Sequence, residues 1–375
     1  MGTELVELTN ELDLAGEERL YRAMRGFWHA VMYAAELGDG PRRAELLGEQ
    51  LVLVRLAGAV RCFPDLCVHR GTALSLGWVK DEQLQCPYHG WTYGPDGVCT
   101  SIPARFGITI PKRARLASYL VEERHGLIWV CLGEEPRFPI PDFPEAADPA
   151  FRVVPGPPYE WRTSAHRRLE NFVDFAHFPW VHEGILGTRD RPEVPDHEVA
   201  RAGTTLRFSR RTREETRRPA APGEGAAGGG ADRRADDAAA LRFGTTDQPP
   251  EVIDVTYDYV LSMPLSIHLE RRFLRDRRYI LFMTATPVGP RLTRSFWYQA
   301  RNYGLDQDDR SFQDLEALVL NQDQPIVESQ RPEMLPIDLS AELHIRGADR
   351  VSVEYRKWLI ELSRPGTASP RGGSN

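Results

Sequence analysis

The sequence predicts two domains in series, an all-β domain over residues 25–140 and an α+β domain over 141–375 built on an antiparallel sheet with helices. Three observations carry this reading. From Phe27 to about Pro139, apolar runs of strand length (HAVMYAAEL, EQLVLVRLAG, GLIWVCLG) are punctuated by Gly, Pro and Asp turns. VIDVTYDYVL and YILFMTATPV alternate with the two-residue period of half-buried strands. SFQDLEALVL instead spaces Phe312, Leu315, Leu318 and Val319 as a helix does. At 375 residues the chain is long for one core.

In chain order, residues 1–24 form an acidic lead ending in a helical turn, without the basic start and apolar run of a signal peptide. The most apolar stretches, Leu51–Leu56 and Leu127–Leu132, fall far short of the roughly 20 residues a membrane span needs. A net charge of −7 gives no reason to expect nucleic acid or a membrane surface as partner. Cytoplasm is the expected compartment. IPDFPEAADP, residues 140–149, marks the domain boundary. Residues 210–240 lack large apolar side chains and are read as a mobile surface insertion or a lid over substrate entry. Residues 366–375 are read as a disordered tail.

The five cysteines are an odd, sparse set, which argues against a disulfide scaffold. Cys62, Cys99 and Cys131 lack a partner histidine and read as buried hydrophobes. Cys67-Val-His69 and Cys86-Pro-Tyr-His89 are different: each offers a thiolate and an imidazole on one tight loop, with sixteen residues between His69 and Cys86. Chance proximity, a Cys2His2 zinc site and a [2Fe-2S] centre with two Cys and two His are the three readings. Zinc fingers keep cysteines together and histidines together, whereas here they alternate, which suits one all-Cys and one all-His iron. Gly71 and Gly90 fit backbone that approaches a bulky cluster.

CVHRG…CPYHGW resembles the Rieske motif of ring-hydroxylating and demethylating oxygenases. Arg70, Gly71 and Thr72 follow His69 without the extra cysteine of respiratory Rieske proteins, which favours the oxygenase branch. In LENFVDFAHFPWVHEGILG, Asn171, Asp174 and His177 would share a helix face, with His182 on the turn after Pro179. Two imidazoles facing one cavity start a 2-His-1-carboxylate triad, and Asn171-x2-Asp174-x2-His177-x4-His182 resembles the iron-binding motif of the same oxygenases. NQDQPIVESQ is similar to the segment that supplies the family's carboxylate, so the resemblance implies Asp323 as third ligand, with Asp314, Glu316 and Glu328 as rivals. Pro325 is expected to break that helix.

The resemblance spans nearly the whole chain. Its flavour is that of the vanillate O-demethylase oxygenases, and HFPWVHEGILG and EYRKWLIEL look like tailoring hydroxylases of saxitoxin pathways. It implies a Rieske domain and a helix-grip-like catalytic domain, a [2Fe-2S] cluster, a mononuclear non-haem Fe(II) and O2 as co-substrate. Electrons would come from NAD(P)H through a ferredoxin or flavin reductase. The substrate would be a small molecule, a natural-product intermediate among the candidates, hydroxylated or O/N-demethylated. Asp174 would bond His177 and the second cluster histidine of the neighbouring subunit, which implies a head-to-tail homotrimer. Arg105, Lys112, Arg113 and Arg115 are a solvated face or a docking patch for an acidic electron donor. Strand alternation nominates Tyr259, Leu261, Met263, Ile267, Phe282 and Trp297 as pocket or core. The rival functions are an electron carrier with no oxygenase chemistry and a zinc-stabilised binding module.

Overall fold

The computed structural model describes residues 14–105, 107–215, 252–274 and 276–364. Helix α1 (Leu14–Ala23) ends the lead. Ten short strands follow: β1 (His29–Tyr33), β2 (Arg42–Leu46), β3 (Glu49–Leu56), β4 (Ala59–Pro64), β5 (Trp78–Lys80), β6 (Gln83–Gln85), β7 (Thr92–Tyr93), β8 (Cys99–Ser101), β9 (Leu120–Arg124) and β10 (Leu127–Cys131). They make three antiparallel sheets, ordered β1-β10-β9, β2-β3-β4 and β5-β6-β7-β8. HAVMY and LIWVC are buried at every position, so they read as unbroken apolar runs instead of alternating ones.

The second half is one eight-stranded antiparallel sheet. Its strands are β11 (Arg152–Pro155), β12 (Tyr159–Trp161), β13 (Val199–Ala202), β14 (Thr205–Glu215), β15 (Val252–Ser262), β16 (Ser266–Phe273), β17 (Arg277–Gly289) and β18 (Leu292–Arg301). The order is β11-β18-β17-β16-β15-β14-β13, with β12 also on β18. Among the described residues four helices accompany it: α2 (Ala165–Val173), α3 (Phe178–Val181), α4 (Asp309–Ser329) and α5 (Arg350–Ser363). The two halves are sewn together along β17. Leu47 and Gly48 donate backbone hydrogen bonds to Pro287 and Val288, both at 2.7 Å, and Thr286 donates its hydroxyl to the Ala30 carbonyl. Among the described residues no helix is long and apolar enough to cross a membrane.

Three local expectations change. Residues 210–215 are not insertion: they extend β14, pairing Arg210 with Tyr257 through Glu215 with Val252. Charged residues are tolerated there because the strand needs its backbone paired and not every side chain buried. The rest of that segment, 216–240, and the tail 366–375 lie outside the described residues. Second, α2 stops at Val173, so Asn171, Asp174 and His177 do not share a helix face. Asp174 leaves the helical region and its Oδ1 accepts from Ala176 N at 2.8 Å, an Asx turn that competes with the next helical turn. Third, α4 runs through Pro325 to Ser329. The lost N–H costs one ladder bond, while buried Val327 and the Gln324–Glu328 contact at 3.0 Å hold the turn beyond it.

Candidate metal centres and substrate cavity

The loops joining β4 to β5 and β6 to β7 are built alike despite different Cys–His spacing. In the first, Gly71 N bonds Cys67 O at 2.8 Å and Cys67 N bonds Thr72 O at 2.8 Å. In the second, Gly90 N bonds Cys86 O at 3.1 Å and Cys86 N bonds Trp91 O at 2.8 Å. Each loop therefore closes over a cysteine and turns back at a glycine with φ of +68° or +71°, a region that costs other residues energy. Cys67 and Cys86 are buried, whereas His69 and His89 are part-exposed, with ring centroids 4.5 Å apart. Trp91 stacks on His69 at 4.6 Å, and Tyr93 Oη lies 3.1 Å from Cys67 Sγ.

This donor set fits a cluster. His69 Nδ1 is buried with no hydrogen-bond partner, as a ligand nitrogen aimed at a metal would be. Burial pushes the Cys86 thiol up, so it holds its proton until a metal displaces it. The four ligand atoms do not converge on one point: among the described residues, the one set of three or more such groups whose ligand atoms all lie within 4.8 Å is elsewhere. A single tetrahedral zinc would demand convergence. Two buried thiols and two part-exposed imidazoles, one of each per loop, match a two-iron cluster.

The converging set is His177, His182 and Asp323. His177 caps the start of α3 and His182 its end, while Asp323 reaches in from α4. Asp323 Oδ1 is 3.0 Å from His182 Nε2 and 3.5 Å from His177 Nε2. Although so close, His182 Nε2 and Asp323 Oδ1 are buried without a properly directed hydrogen bond, because both point at common space. The outer nitrogens are anchored: His177 Nδ1 to Asp174 Oδ2 at 3.1 Å, His182 Nδ1 to Gln322 Oε1 at 2.9 Å. Each Nδ1–H donated outward leaves an Nε2 lone pair facing inward, the tautomer a metal needs. Burial alone would raise the Asp323 carboxyl, but the closeness of His182, His177 and Arg168 outweighs it and holds the group below the usual carboxylate range. The residues fit an iron.

The triad forms one end of a cavity of about 900 Å³, part of it open to solvent. One wall is α4, whose Phe312, Leu315, Glu316, Val319, Leu320 and Asp323 recur at helical spacing. The floor is two cross-strand rows, Tyr259–Leu269–Leu281 and Tyr257–Arg271–Tyr279. Of the six nominated pocket residues, Tyr259 alone lines it. Leu261, Ile267 and Trp297 belong, with Met283, to the next row on that same face, buried in the core, and Met263 follows at the strand end. Phe282 points to the opposite face and stacks on Phe143 at 4.8 Å. Alternation gave the face correctly in most cases, but the row depends on where helices leave the sheet uncovered.

Of the rival carboxylates, Glu316 lines the same cavity away from the triad, and Glu328 bonds Arg162 N at 2.9 Å. Asn171 Oδ1 accepts from Arg168 at 3.0 Å, and Arg168 is itself fully buried on Tyr159. Gln322 and Arg168 were not legible as site residues, since a lone Gln or Arg beside a motif carries no signal. Asp174 opens on the other side, into a groove shared with Ile326, Leu343 and Arg356.

A Rieske [2Fe-2S] domain family matches residues 27–113, and the vanillate O-demethylase oxygenase C-terminal domain family matches residues 161–364. Methylxanthine N1-demethylase NdmA of Pseudomonas putida is 35% identical over 362 residues, covering 94% of this chain and 92% of that protein. Methylxanthine N3-demethylase NdmB of the same organism is 34% identical over 361 residues, covering 92% and 91%. The solved structure of Pseudomonas putida CBB5 NdmA with caffeine aligns at TM-score 0.77 and 34% identity over 92% of both chains. Dicamba monooxygenase bound to dicamba aligns at TM-score 0.71 over 91% of this chain and 97% of that one; at 22% identity it speaks for the fold.

Proposed function

The chain belongs to the Rieske non-haem iron oxygenases, as an oxygenase component, and from that premise we propose that Cys67, His69, Cys86 and His89 hold its [2Fe-2S] cluster while His177, His182 and Asp323 hold its mononuclear iron. The enzyme uses O2 and electrons delivered from NAD(P)H by a separate reductase or ferredoxin to hydroxylate or demethylate a small organic substrate. The observation that carries the residue assignment is the meeting of two Nε2 atoms and one carboxylate at the head of a largely apolar cavity. An electron carrier would have no use for it. We read the chain as two domains, 25–140 for the cluster and 141–375 for the chemistry, and place it in the cytoplasm.

When bound, the cluster supplies electrons and the mononuclear iron activates O2. The protein's part is positional. Asp174 and Gln322 fix the two imidazoles, and the aromatic and aliphatic walls exclude water while turning a C–H bond toward the triad. A hydroxylated N- or O-methyl group collapses to formaldehyde and the free N–H or O–H, so demethylation and hydroxylation share one site.

Asp174 is proposed to link His177 to His89 of the partner subunit in a head-to-tail trimer. Two surfaces support this. Leu66, Val68, Leu76, Trp78 and Tyr88 are exposed around the cluster loops, and Trp180, Ile326, Leu343 and Ile345 are exposed in the region of the Asp174 groove. Patches of this kind mark interaction sites. The basic residues Arg105, Lys112, Arg113 and Arg115, all exposed, are left to steer an acidic donor.

The test is iron and sulfide analysis of well-loaded protein with an absorption spectrum. About three irons and two sulfides per chain are expected, together with formaldehyde release from N- or O-methylated aromatics when a reductase is supplied. Fewer than three irons would overturn the assignment.

A further inference from the structure

We propose that Arg168 is a specificity-determining residue, a buried guanidinium that donates to a carboxylate of the substrate at the triad end of the cavity, so that the substrates are compact, largely apolar carboxylic acids. This rests on the oxygenase reading of the cavity and adds its substrate class.

The buried arginines supply an internal control. Among the described residues they are Arg167, Arg168, Arg271, Arg301 and Arg356. Arg167 pairs with Glu342 at 2.8 Å, Arg271 with Glu214 at 3.4 Å, Arg301 with Asp309 at 2.7 Å and Arg356 with Glu170 at 2.6 Å. Arg168 is 1% exposed, and among the described residues no carboxylate pairs with it. Its Nε and Nη2 donate to Tyr159 Oη at 2.9 and 2.7 Å, and its Nη1 donates to Asn171 Oδ1 at 3.0 Å. Both acceptors are neutral. The guanidinium also lies over Trp161, 4.5 Å from the ring centroid, which eases the burial of a cation without neutralising it. A guanidinium carries five N–H groups and keeps its proton. Three bonds therefore leave an N–H on each of Nη1 and Nη2, and the whole positive charge, unanswered. A buried charge without a partner is costly, and the fold keeps one here while pairing every other buried arginine.

Its place says what answers it. Arg168 lines the cavity together with Asn171, Phe172 and the triad. Its charge is among those that hold the Asp323 carboxyl low, which sets it at the triad end. Asp323 does not remain its counter-ion once the metal is bound. A divalent iron held by one carboxylate and two neutral imidazoles keeps a net positive charge, so Arg168 then faces a centre of its own sign. An anionic group on the substrate answers both. A carboxylate is the planar partner that a guanidinium matches best. Leu269, Leu281, Leu315 and Val319 line the rest of the cavity, so the carboxylate has to be carried on a small apolar body. A neutral analogue leaves the buried cation desolvated and unmet, and is rejected for that reason.

The test titrates iron- and cluster-loaded full-length protein by calorimetry with 2-, 3- and 4-methoxybenzoate and the three matching methoxybenzamides. Acid and amide share a shape and differ in charge, and the isomers vary the spacing between carboxylate and methyl group. The tightest-binding acid is expected to exceed its own amide by about tenfold or more, and this preference to vanish in Arg168→Met. Equal affinities, no binding of any acid, or a preference that survives Arg168→Met overturns the proposal; survival would mean that the iron itself holds the carboxylate. An unchanged cluster spectrum shows that the variant folds. Where Arg168→Met loses its cluster, Tyr159→Phe decides: it frees Nε and Nη2, so the preference for the acid should grow, and an unchanged or smaller preference overturns the proposal. Iron and sulfide measured on the same preparations report separately on the oxygenase reading. About three irons per chain with equal affinities sinks the carboxylate site and leaves that reading standing, whereas fewer irons sinks the reading itself.

Discussion

The two regions proposed to bind metal are made by opposite means. The cluster loops are local: twenty-three residues from Cys67 to His89 hold all four proposed ligands, each loop is closed by its own backbone bonds, and the imidazoles stay part-exposed. The triad is assembled from a distance: Asp323 meets histidines more than 140 residues earlier, all nearly or partly buried, and its second histidine is oriented by Gln322 from that same distant helix. A centre that must exchange electrons with another protein has to be accessible. One that must exclude water around a reacting C–H bond has to be enclosed, and enclosure needs several elements. The difference predicts that the two centres fail independently.

Ligand deletions break the comparison most sharply. His182→Ala or Asp323→Ala should lower iron from about three to about two per chain, leave the Rieske spectrum intact, and abolish substrate oxidation by a factor on the order of 10³ or more. Cys67→Ser should do the reverse, removing the cluster's colour while mononuclear iron still binds. Loss of both metals from either variant, read by iron analysis and electron paramagnetic resonance, would show the centres to be one folding unit. A smaller effect is expected at Gln322. Gln322→Leu leaves His182 Nδ1 without its acceptor, so iron affinity should fall roughly 10- to 100-fold with the cluster untouched, and Gln322→Glu should recover most of it.

This contrast also explains what the sequence could tell. The proposed cluster ligands Cys67, His69, Cys86 and His89 can be nominated from one short segment. His177 and His182 were legible as a pair, but the route by which they converge was misread: an i, i+3 helix face was inferred where Asp174 ends α2 with its own side chain. Asp323 is nominated by resemblance, since no local pattern separates it from Glu316 two turns earlier. The cavity was least legible. Period-two alternation identifies a face, but Tyr259 is pocket and Leu261 is core because the helices cover one cross-strand row and leave the next open.

The seam between the regions gives a pH effect. His29, on β1, and His166, on α2, are fully buried; burial brings His29 down to about 4 and, helped by the charge of His29, His166 down to about 3. Both are neutral in the fold and have an ordinary value near 6.5 when unfolded. The unfolded chain therefore binds more protons below about pH 6.5, so stability is complete above that value and is lost as pH falls toward 4. Between pH 6 and 5 the pair should cost about 2 kcal/mol, seen as a fall in melting temperature. His166→Gln should roughly halve that slope. A slope unchanged in the variant would mean that other groups govern the acid limb.

The finest test compares the two loops with each other. Gly71 and Gly90 share a positive φ, but their surroundings differ. A Cβ on Gly71 meets nothing within 4 Å, whereas one on Gly90 would lie 3.2 Å from Pro103 Cγ and 3.3 Å from Gln85 Nε2. Gly71→Ala thus isolates the conformational cost of the left-handed turn, about 1–2 kcal/mol, and Gly90→Ala adds a contact its neighbours must relieve. Both should weaken cluster retention on dilution or mild chelation, Gly90→Ala more, with the mononuclear iron unaffected in each. If Gly71→Ala retained its cluster as well as the parent, the turn would not be what holds the cysteine and histidine of a loop in register; the strands β5 to β8 would have to do it instead. Those strands carry two or three residues apiece, too little backbone pairing to fix a loop alone, which is why the glycines are expected to matter.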